Sequence, residues 1–206
     1  IFASSATVYG PQSSQPVSED ARPRPQVPYA VSKLAAEYYI FALGALNGIE
    51  AVALRIFNAY GPGQRLPPVH APVIPLFLKN ILTGASLVVQ GDGSQTRDFV
   101  YIDDVVAALT AAATAPAVNG LIINIGSGVE TSINGLIAEM GEVTGSRPHV
   151  IVNSQLSGGI SRLVADLRLA REKLDYQPQI SLRVGLERTL REDPRFHTPR
   201  GVISAR

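Results

Sequence analysis

Short apolar runs and helix-patterned segments take turns along this chain, and that alternation limits its possible folds more than any single residue does. Ala51 to Phe57 is apolar almost throughout and too short for a buried helix, the pattern of a strand covered on both faces. Ile1 to Ser4 reads as a strand end, and Leu87 to Val89, Phe99 to Ile102 and Leu121 to Ile125 as further strands. Pro28 to about Leu46 reads as a helix stopped at Asn47-Gly48, and Ile74 to Thr83 as a shorter one stopped at Gly84. Asp103 or Asp104 is expected to cap an Ala-rich helix running to about Ala115, and Gly61 to Pro75 is a Pro/Gly-rich loop. Strands separated by helices imply an α/β fold with a parallel sheet.

Composition narrows the class. Of 206 residues, 46% are hydrophobic and 17% charged, against a usual charged share of about 25%, so much of the surface is expected to be buried. The net charge of +1 and the lack of any Lys/Arg cluster argue against nucleic acid as a partner. The absence of cysteine excludes disulfides, thiolate nucleophiles and Cys-based zinc sites. His70, His149 and His197 stand in unrelated, proline-neighboured stretches without carboxylates at ligand spacing, so no metal is expected. No apolar run reaches the length of a membrane span, and the start reads as a strand and not as a signal peptide. A soluble, cytoplasmic protein with no membrane partner is the expectation.

Chemistry concentrates at Tyr29-Ala30-Val31-Ser32-Lys33. Residues four apart lie on one helix face, so the Lys33 ammonium can stand beside the Tyr29 phenol, the arrangement that lets a tyrosine serve as a base. Pro28 suits the first helical position and would place Tyr29 in the positive first turn. Of seven tyrosines only Tyr29 has a lysine four residues on, and only Tyr29 follows a Ser-rich strand end, Ser4-Ser5-Ala6-Thr7-Val8-Tyr9-Gly10.

With these residues the chain resembles the extended short-chain dehydrogenases/reductases, and among them the NAD-dependent nucleotide-sugar epimerase/dehydratase family of the UDP-glucose 4-epimerase type. Further segments match in order: Leu54-Arg55-Ile56-Phe57-Asn58-Ala59-Tyr60-Gly61-Pro62-Gly63; Gly91-Asp92-Gly93-Ser94-Gln95-Thr96-Arg97-Asp98-Phe99-Val100-Tyr101-Ile102-Asp103-Asp104-Val105; Asn124-Ile125-Gly126-Ser127-Gly128; and Ala165-Asp166 with Pro178 beyond. The resemblance extends from residue 1 to about residue 192. It implies the C-terminal part of a Rossmann-type parallel sheet with a smaller α/β substrate-binding domain. Residues 1–60 and 101–126 would belong to the NAD-binding domain, 61–100 and 127–192 to the nucleotide-sugar domain, and 193–206 to a loose tail. The glycine-rich turn that holds the cofactor pyrophosphate in this family would precede Ile1.

The resemblance also implies roles. Ser5, Tyr29 and Lys33 would be catalytic; Ser4, Ser5, Tyr29, Lys33 and Phe57 would meet NAD; Ser5, Thr7, Tyr29, Asn58, Val88, Val89, Gln90 and Arg97 would meet a UDP-sugar or other nucleotide-sugar. Arg97 suits the diphosphate, although a surface pair with Asp98 is the alternative. Members usually carry Arg-x-Gly-Asp before Ala165-Asp166, where this chain has Leu156-Ser157-Gly158-Gly159; Arg162 is the candidate replacement for the missing arginine, and Leu163 stands near the sugar ring. Dehydratases of this family place Asp-Glu after the serine or threonine and decarboxylases a glutamate at the second of these positions, whereas Ala6-Thr7 is the 4-epimerase pattern. A reductase or dehydratase of the superfamily, and a non-catalytic sugar-nucleotide-binding remnant, are the rival readings.

Two further expectations concern helices. Gly126-Ser127-Gly128-Val129-Glu130-Thr131 imitates a dinucleotide fingerprint, but its sixth residue is Thr131, so a tight turn into a helix capped by Thr131 or Ser132 is expected. Leu34, Tyr38, Phe41 and Ala45 form an apolar stripe that suits the homodimer implied by the resemblance and equally suits core packing.

Overall fold

The computed structural model describes residues 1–155 and 159–197. Leu156-Ser157-Gly158, where the sequence departs from the family pattern, and residues 198–206 of the expected tail lie outside the described residues. Strand β1 (Phe2–Ser5) leads through a 3-10 turn, Ala6–Tyr9, to helix α1 (Pro28–Asn47). Then come β2 (Ala53–Ile56), β3 (Asn58–Tyr60), α2 (Val73–Thr83), β4 (Leu87–Gln90), β5 (Thr96–Tyr101) and α3 (Ile102–Thr114). The chain continues through β6 (Ile122–Ile125), β7 (Glu130–Ser132), α4 (Ile133–Thr144), β8 (Val150–Asn153), α5 (Arg168–Leu174) and α6 (Leu182–Glu192).

Three small sheets result among the described residues. β1, β2 and β6 pair in parallel in that order, with β1 at the edge; β5 pairs in parallel with β3 and antiparallel with β7; β4 and β8 form a parallel pair. The three strands of the first sheet are apolar apart from Ser4, Ser5, Arg55 and Asn124, as sheets covered on both faces require. Phe57 is the hinge between sheets: its N–H bonds Ile125 O at 2.8 Å, and the chain then enters β3 beside β5.

Two cores follow the same division. The first gathers Val52, Leu54, Ile123 and Ile125 with Val105, Ala108 and Leu163 to Tyr176. The second gathers Tyr60, α2, Leu87, Val89, Phe99, Tyr101, α4 and Leu186. Residues 163–176, assigned from sequence to the substrate part, thus pack with the first sheet. Residues 193–197, expected in the tail, are tied down: Asp193 and Phe196 are buried, Pro194–Phe196 is a 3-10 turn, and Asp193 Oδ2 accepts the Gly63 N–H at 2.8 Å.

The caps show where local patterns were outbid. Ser132 caps α4 through the Gly135 N–H, and Pro28 opens α1. α3, in contrast, starts at Ile102 with Tyr101 in the cap position and no side-chain cap; Asp103 and Asp104 lie in its first turn. Asp104 instead accepts the N–H groups of Gln179 (2.9 Å) and Ile180 (3.1 Å), and Asp103 pairs with Arg188 at 3.1 Å. A carboxylate in the first turn keeps its favourable place against the helix dipole while it satisfies backbone donors elsewhere. Among the described residues no helix is long and apolar enough to cross a membrane.

Asp98, fully buried on β5, joins the two cores. It accepts Ser127 N (2.6 Å), Ser127 Oγ (2.7 Å), Gly128 N (2.9 Å) and Ala165 N (3.1 Å). Burial pushes its carboxyl group up and the four donors oppose that. Gly126 must be glycine because a Cβ there would stand 2.6 Å from Asp98 Oδ2. Asp98→Ala strands three backbone donors, at about 1–3 kcal/mol each. Chemical denaturation should therefore show a loss of at least about 3 kcal/mol, with Asp98→Asn losing less; a loss below about 1 kcal/mol for the alanine variant contradicts this role.

Candidate active site

The C-terminal end of β1 brings the Ser-rich segment to the N-terminal half of α1. Ser5 caps the 3-10 turn: its Oγ accepts the Thr7 N–H at 3.3 Å and the Thr7 hydroxyl at 2.9 Å. Ser5 is itself buried, and its hydroxyl has no acceptor among the described residues. Ala6 beside it is buried.

Tyr29 follows Pro28 in the first turn of α1 and is 54% exposed, its hydroxyl without a partner among the described residues. Lys33, one turn on, donates from Nζ to Ala3 O at 2.9 Å and lies 5.8 Å from the Tyr29 ring centroid and 5.1 Å from that of Phe2. One of three ammonium donors is thus used on the edge strand of the first sheet and two remain. Ser5 stands at the C-terminal end of β1, the end of a parallel sheet where open α/β folds take ligands, and Lys33 with Tyr29 lies beside the same strand at Phe2 and Ala3.

Ser4 and Phe57, expected at the cofactor, are turned inward. Successive strand residues face opposite sides, so Ser4 lies against α1, 4% exposed, and donates its hydroxyl to Glu37 Oε1 at 2.5 Å. Phe57 is 5% exposed and packs at 6.5 Å from the Tyr9 ring. The partners of Ser4 have no counterpart among the expected site residues. Glu37 and Arg55, both buried, form a two-pronged pair with Arg55 Nε at 2.9 Å from Oε1 and Nη2 at 2.7 Å from Oε2. The signal was present: Arg55 is the one charge in an apolar strand, and Glu37 stands one turn beyond Lys33.

On the substrate side Asn58 is exposed at the start of β3. Arg97 is half-buried on β5, where its Nη1 donates to Thr96 O and Ile160 O, each at 2.7 Å; burial lowers its pKa from the ordinary arginine value. On β4 the pleat separates the expected trio: Val88 and Gln90 are exposed, while Val89 points into the second core. Val89 is therefore a packing residue. Arg162 does not converge freely with Arg97, because its fork grips Glu130, with Nε–Oε1 and Nη2–Oε2 both 2.7 Å. Glu130 pairs in register with Asp98, so the pleat sends it to the face of the β5–β7 ribbon opposite Arg97.

Comparison with known proteins places these features in a group. Residues 1–126 match the NAD dependent epimerase/dehydratase family. The chain is 36% identical over 188 residues to the UDP-glucose 4-epimerase of Mycolicibacterium smegmatis, covering 91% of this chain and 59% of that protein. It is 37% identical to the UDP-N-acetyl-alpha-D-glucosaminuronate decarboxylase of Bacillus cytotoxicus, covering 92% and 62%. Its fold superposes on the UDP-glucuronic acid 4-epimerase of Bacillus cereus, solved with UDP-glucuronic acid and NAD, with a TM-score of 0.83 at 35% identity over 91% of this chain and 58% of that one. The chain spans about three fifths of the length of the curated relatives it matches.

The Arg162 guanidinium and the Thr96 hydroxyl hold the Glu130 carboxyl down at about 2, from an ordinary 4.5. Because the folded value is the lower one, the pair's contribution is complete above about pH 4.5 and is lost as the pH falls through about 2. A carbon-13 titration of the Glu130 carboxyl should give a midpoint near 2 and one moved back toward 4.5 in Arg162→Ala; an unmoved midpoint shows that the pair does not persist in solution.

Proposed function

The chain belongs to the NAD dependent epimerase/dehydratase family, and from that premise we propose that it carries the catalytic and substrate-binding part of a nucleotide-sugar 4-epimerase of the UDP-glucose type. The observation that carries this reading is the Ser5–Thr7 arrangement. A hydroxyl, not a carboxylate, follows at the position where resemblance implies the extra acid of dehydratases and decarboxylases, and it is spent on Ser5 Oγ at 2.9 Å. A site so equipped can exchange one proton with a sugar hydroxyl but lacks a second acid there for elimination.

NAD fits the residues present. Lys33 has two uncommitted donors beside β1 and Tyr29 is exposed next to it, so Lys33 and Tyr29 would hold the nicotinamide ribose. When bound, NAD supplies the acceptor and then the donor of a hydride at sugar C4. Tyr29 takes the proton of the C4 hydroxyl and returns it after the 4-keto sugar has presented its other face. Ser5 donates to the same oxygen, and Lys33 keeps the phenol oxygen in a positive field. Arg97 and Asn58 would hold the diphosphate side of the nucleotide-sugar, with Val88 and Gln90 beside the base. Residues 1–60 and 101–126 serve the cofactor half in this reading, and 61–100 with much of 127–192 the substrate half.

In the full-length protein Tyr29→Phe should lower turnover by at least about 100-fold with little change in KM, measured by interconversion of UDP-glucose and UDP-galactose. Near-normal turnover would falsify the reading. A homodimer through the outer face of α1 is part of the proposal, since Tyr38 is 68%, Leu43 52% and Leu46 82% exposed there. Charge in such a patch opposes association; Tyr38→Glu with Leu43→Glu should therefore sediment as a monomer, and an unchanged sedimentation coefficient removes this interface.

A further inference from the structure

α1 carries Tyr29 and Lys33, and besides the Lys33 bond to Ala3 O a buried carboxylate ties α1 to the strand that carries Ser5. Glu37 lies one turn beyond Lys33 and is 2% exposed, as is Arg55. Oε1 accepts Ser4 Oγ at 2.5 Å and Arg55 Nε at 2.9 Å, and Oε2 accepts Arg55 Nη2 at 2.7 Å. Ser4 is next to Ser5 and pairs in register with Arg55 across β1 and β2. Glu37 therefore grips the two strands that flank the reacting end, and the Arg55 guanidinium is itself stacked 4.6 Å from the Tyr9 ring centroid.

Stability alone does not account for such a pair. Two charges lose their hydration here, and Arg55 Nη1 is buried without a partner among the described residues. Apolar side chains of similar volume commonly serve a core at least as well. Three directed hydrogen bonds do what apolar contact cannot: they set both the roll of a helix and its position along a strand. Catalysis is sensitive to that setting, since a displacement of about 1 Å can cost about 100-fold in rate.

We propose that Glu37 is a positioning residue that, through Ser4 and Arg55, registers α1 on β1 and so sets the Tyr29 hydroxyl and the Lys33 ammonium against Ser5. The inference rests on the 4-epimerase reading for its kinetic consequence, though not for its geometry. The decisive variant is Glu37→Leu with Arg55→Met in the full-length protein, which removes both charges and fills their volume. Its melting temperature should stay near the wild-type value while kcat falls at least tenfold, with KM for the UDP-sugar changed less than about twofold. Unchanged kcat in this variant overturns the inference, whereas a wild-type protein without epimerase activity instead overturns the functional reading.

A second readout needs no turnover. With 3-fluorotyrosine at position 29, the wild type should give one narrow fluorine resonance and the double variant a broadened or split one; superimposable spectra overturn the inference. Should the double variant fail to fold, Ser4→Ala removes one bond only, and should give a threefold or larger fall in kcat with the same fluorine broadening. Wild-type kcat and spectrum in Ser4→Ala likewise overturn it.

Discussion

A single carboxylate in an apolar setting joins the halves of this structure. Asp98 is fully buried on β5, and its oxygens collect the turn that follows β6 and the backbone at Ala165. The turn at 126–128 has the shape that in dinucleotide-binding folds presents backbone N–H groups to a phosphate. Here the anion in the turn is the protein's own, and the sites that could have met a phosphate are occupied. Because Asp98 sits next to Arg97, the anchoring of the turn also fixes where the arginine leaves the strand.

This interaction explains which parts of the chain were legible in advance. Alternation of apolar runs and helical segments located β1, β2, β4, β5 and β6 and helices α1 to α4, elements selected by burial and chain geometry that act within a few residues, but not β3, β7, β8, α5 or α6. The imitation fingerprint at Gly126 leads to a helix capped by Ser132 as expected, though through strand β7 and not directly, and the acceptor that fixes Ser127 and Gly128, 29 and 30 residues earlier on another strand, has no local trace. Asp103 and Asp104 illustrate the same limit. Their position suited a helix cap, but the N–H groups of Gln179 and Ile180 lie beyond any local window and claimed Asp104. Residues 193–197 looked loose for want of periodicity, and Asp193 holds them through one backbone contact to Gly63 and its pair with Arg195.

Site residues divide in a similar way. Tyr29 and Lys33 could be read from spacing because one helix face brings them together. Val89 is buried between the exposed Val88 and Gln90, because a resemblance names a strand whereas the pleat decides which of its side chains reach the surface. Arg162 has the right charge for a diphosphate, but its fork is matched to Glu130, a partner that only the β5–β7 register reveals. Any anion that recruits Arg162 competes with a two-pronged carboxylate, so in this arrangement Arg97 is the better placed of the two.

The reacting end gains its order from a polar row across an otherwise apolar sheet. Ser4, Arg55 and Asn124 are in register on adjacent strands. Glu37 ties Ser4 and Arg55 to α1, and Tyr9, its pKa pushed up to about 12 by burial, donates its hydroxyl to Asn124 Oδ1 at 2.6 Å. That bond fixes the Asn124 carboxamide, whose Nδ2 then donates to Val17 O at 2.9 Å. Val17 in turn bridges to Ala165, and Gln15 bonds the backbone on both sides, at Arg162 O and Val164 N. The loop between Ser5 and Tyr29 is thus fastened at one end to the anchor of α1 and at the other to the segment that follows Ile160, whose carbonyl holds Arg97. A polar network this continuous has few independent adjustments: moving the helix disturbs Arg55, and moving Asn124 disturbs Val17 and the segment beyond it. The placement of Tyr29 and Lys33 and that of Arg97 are therefore one structural property of the chain and not two.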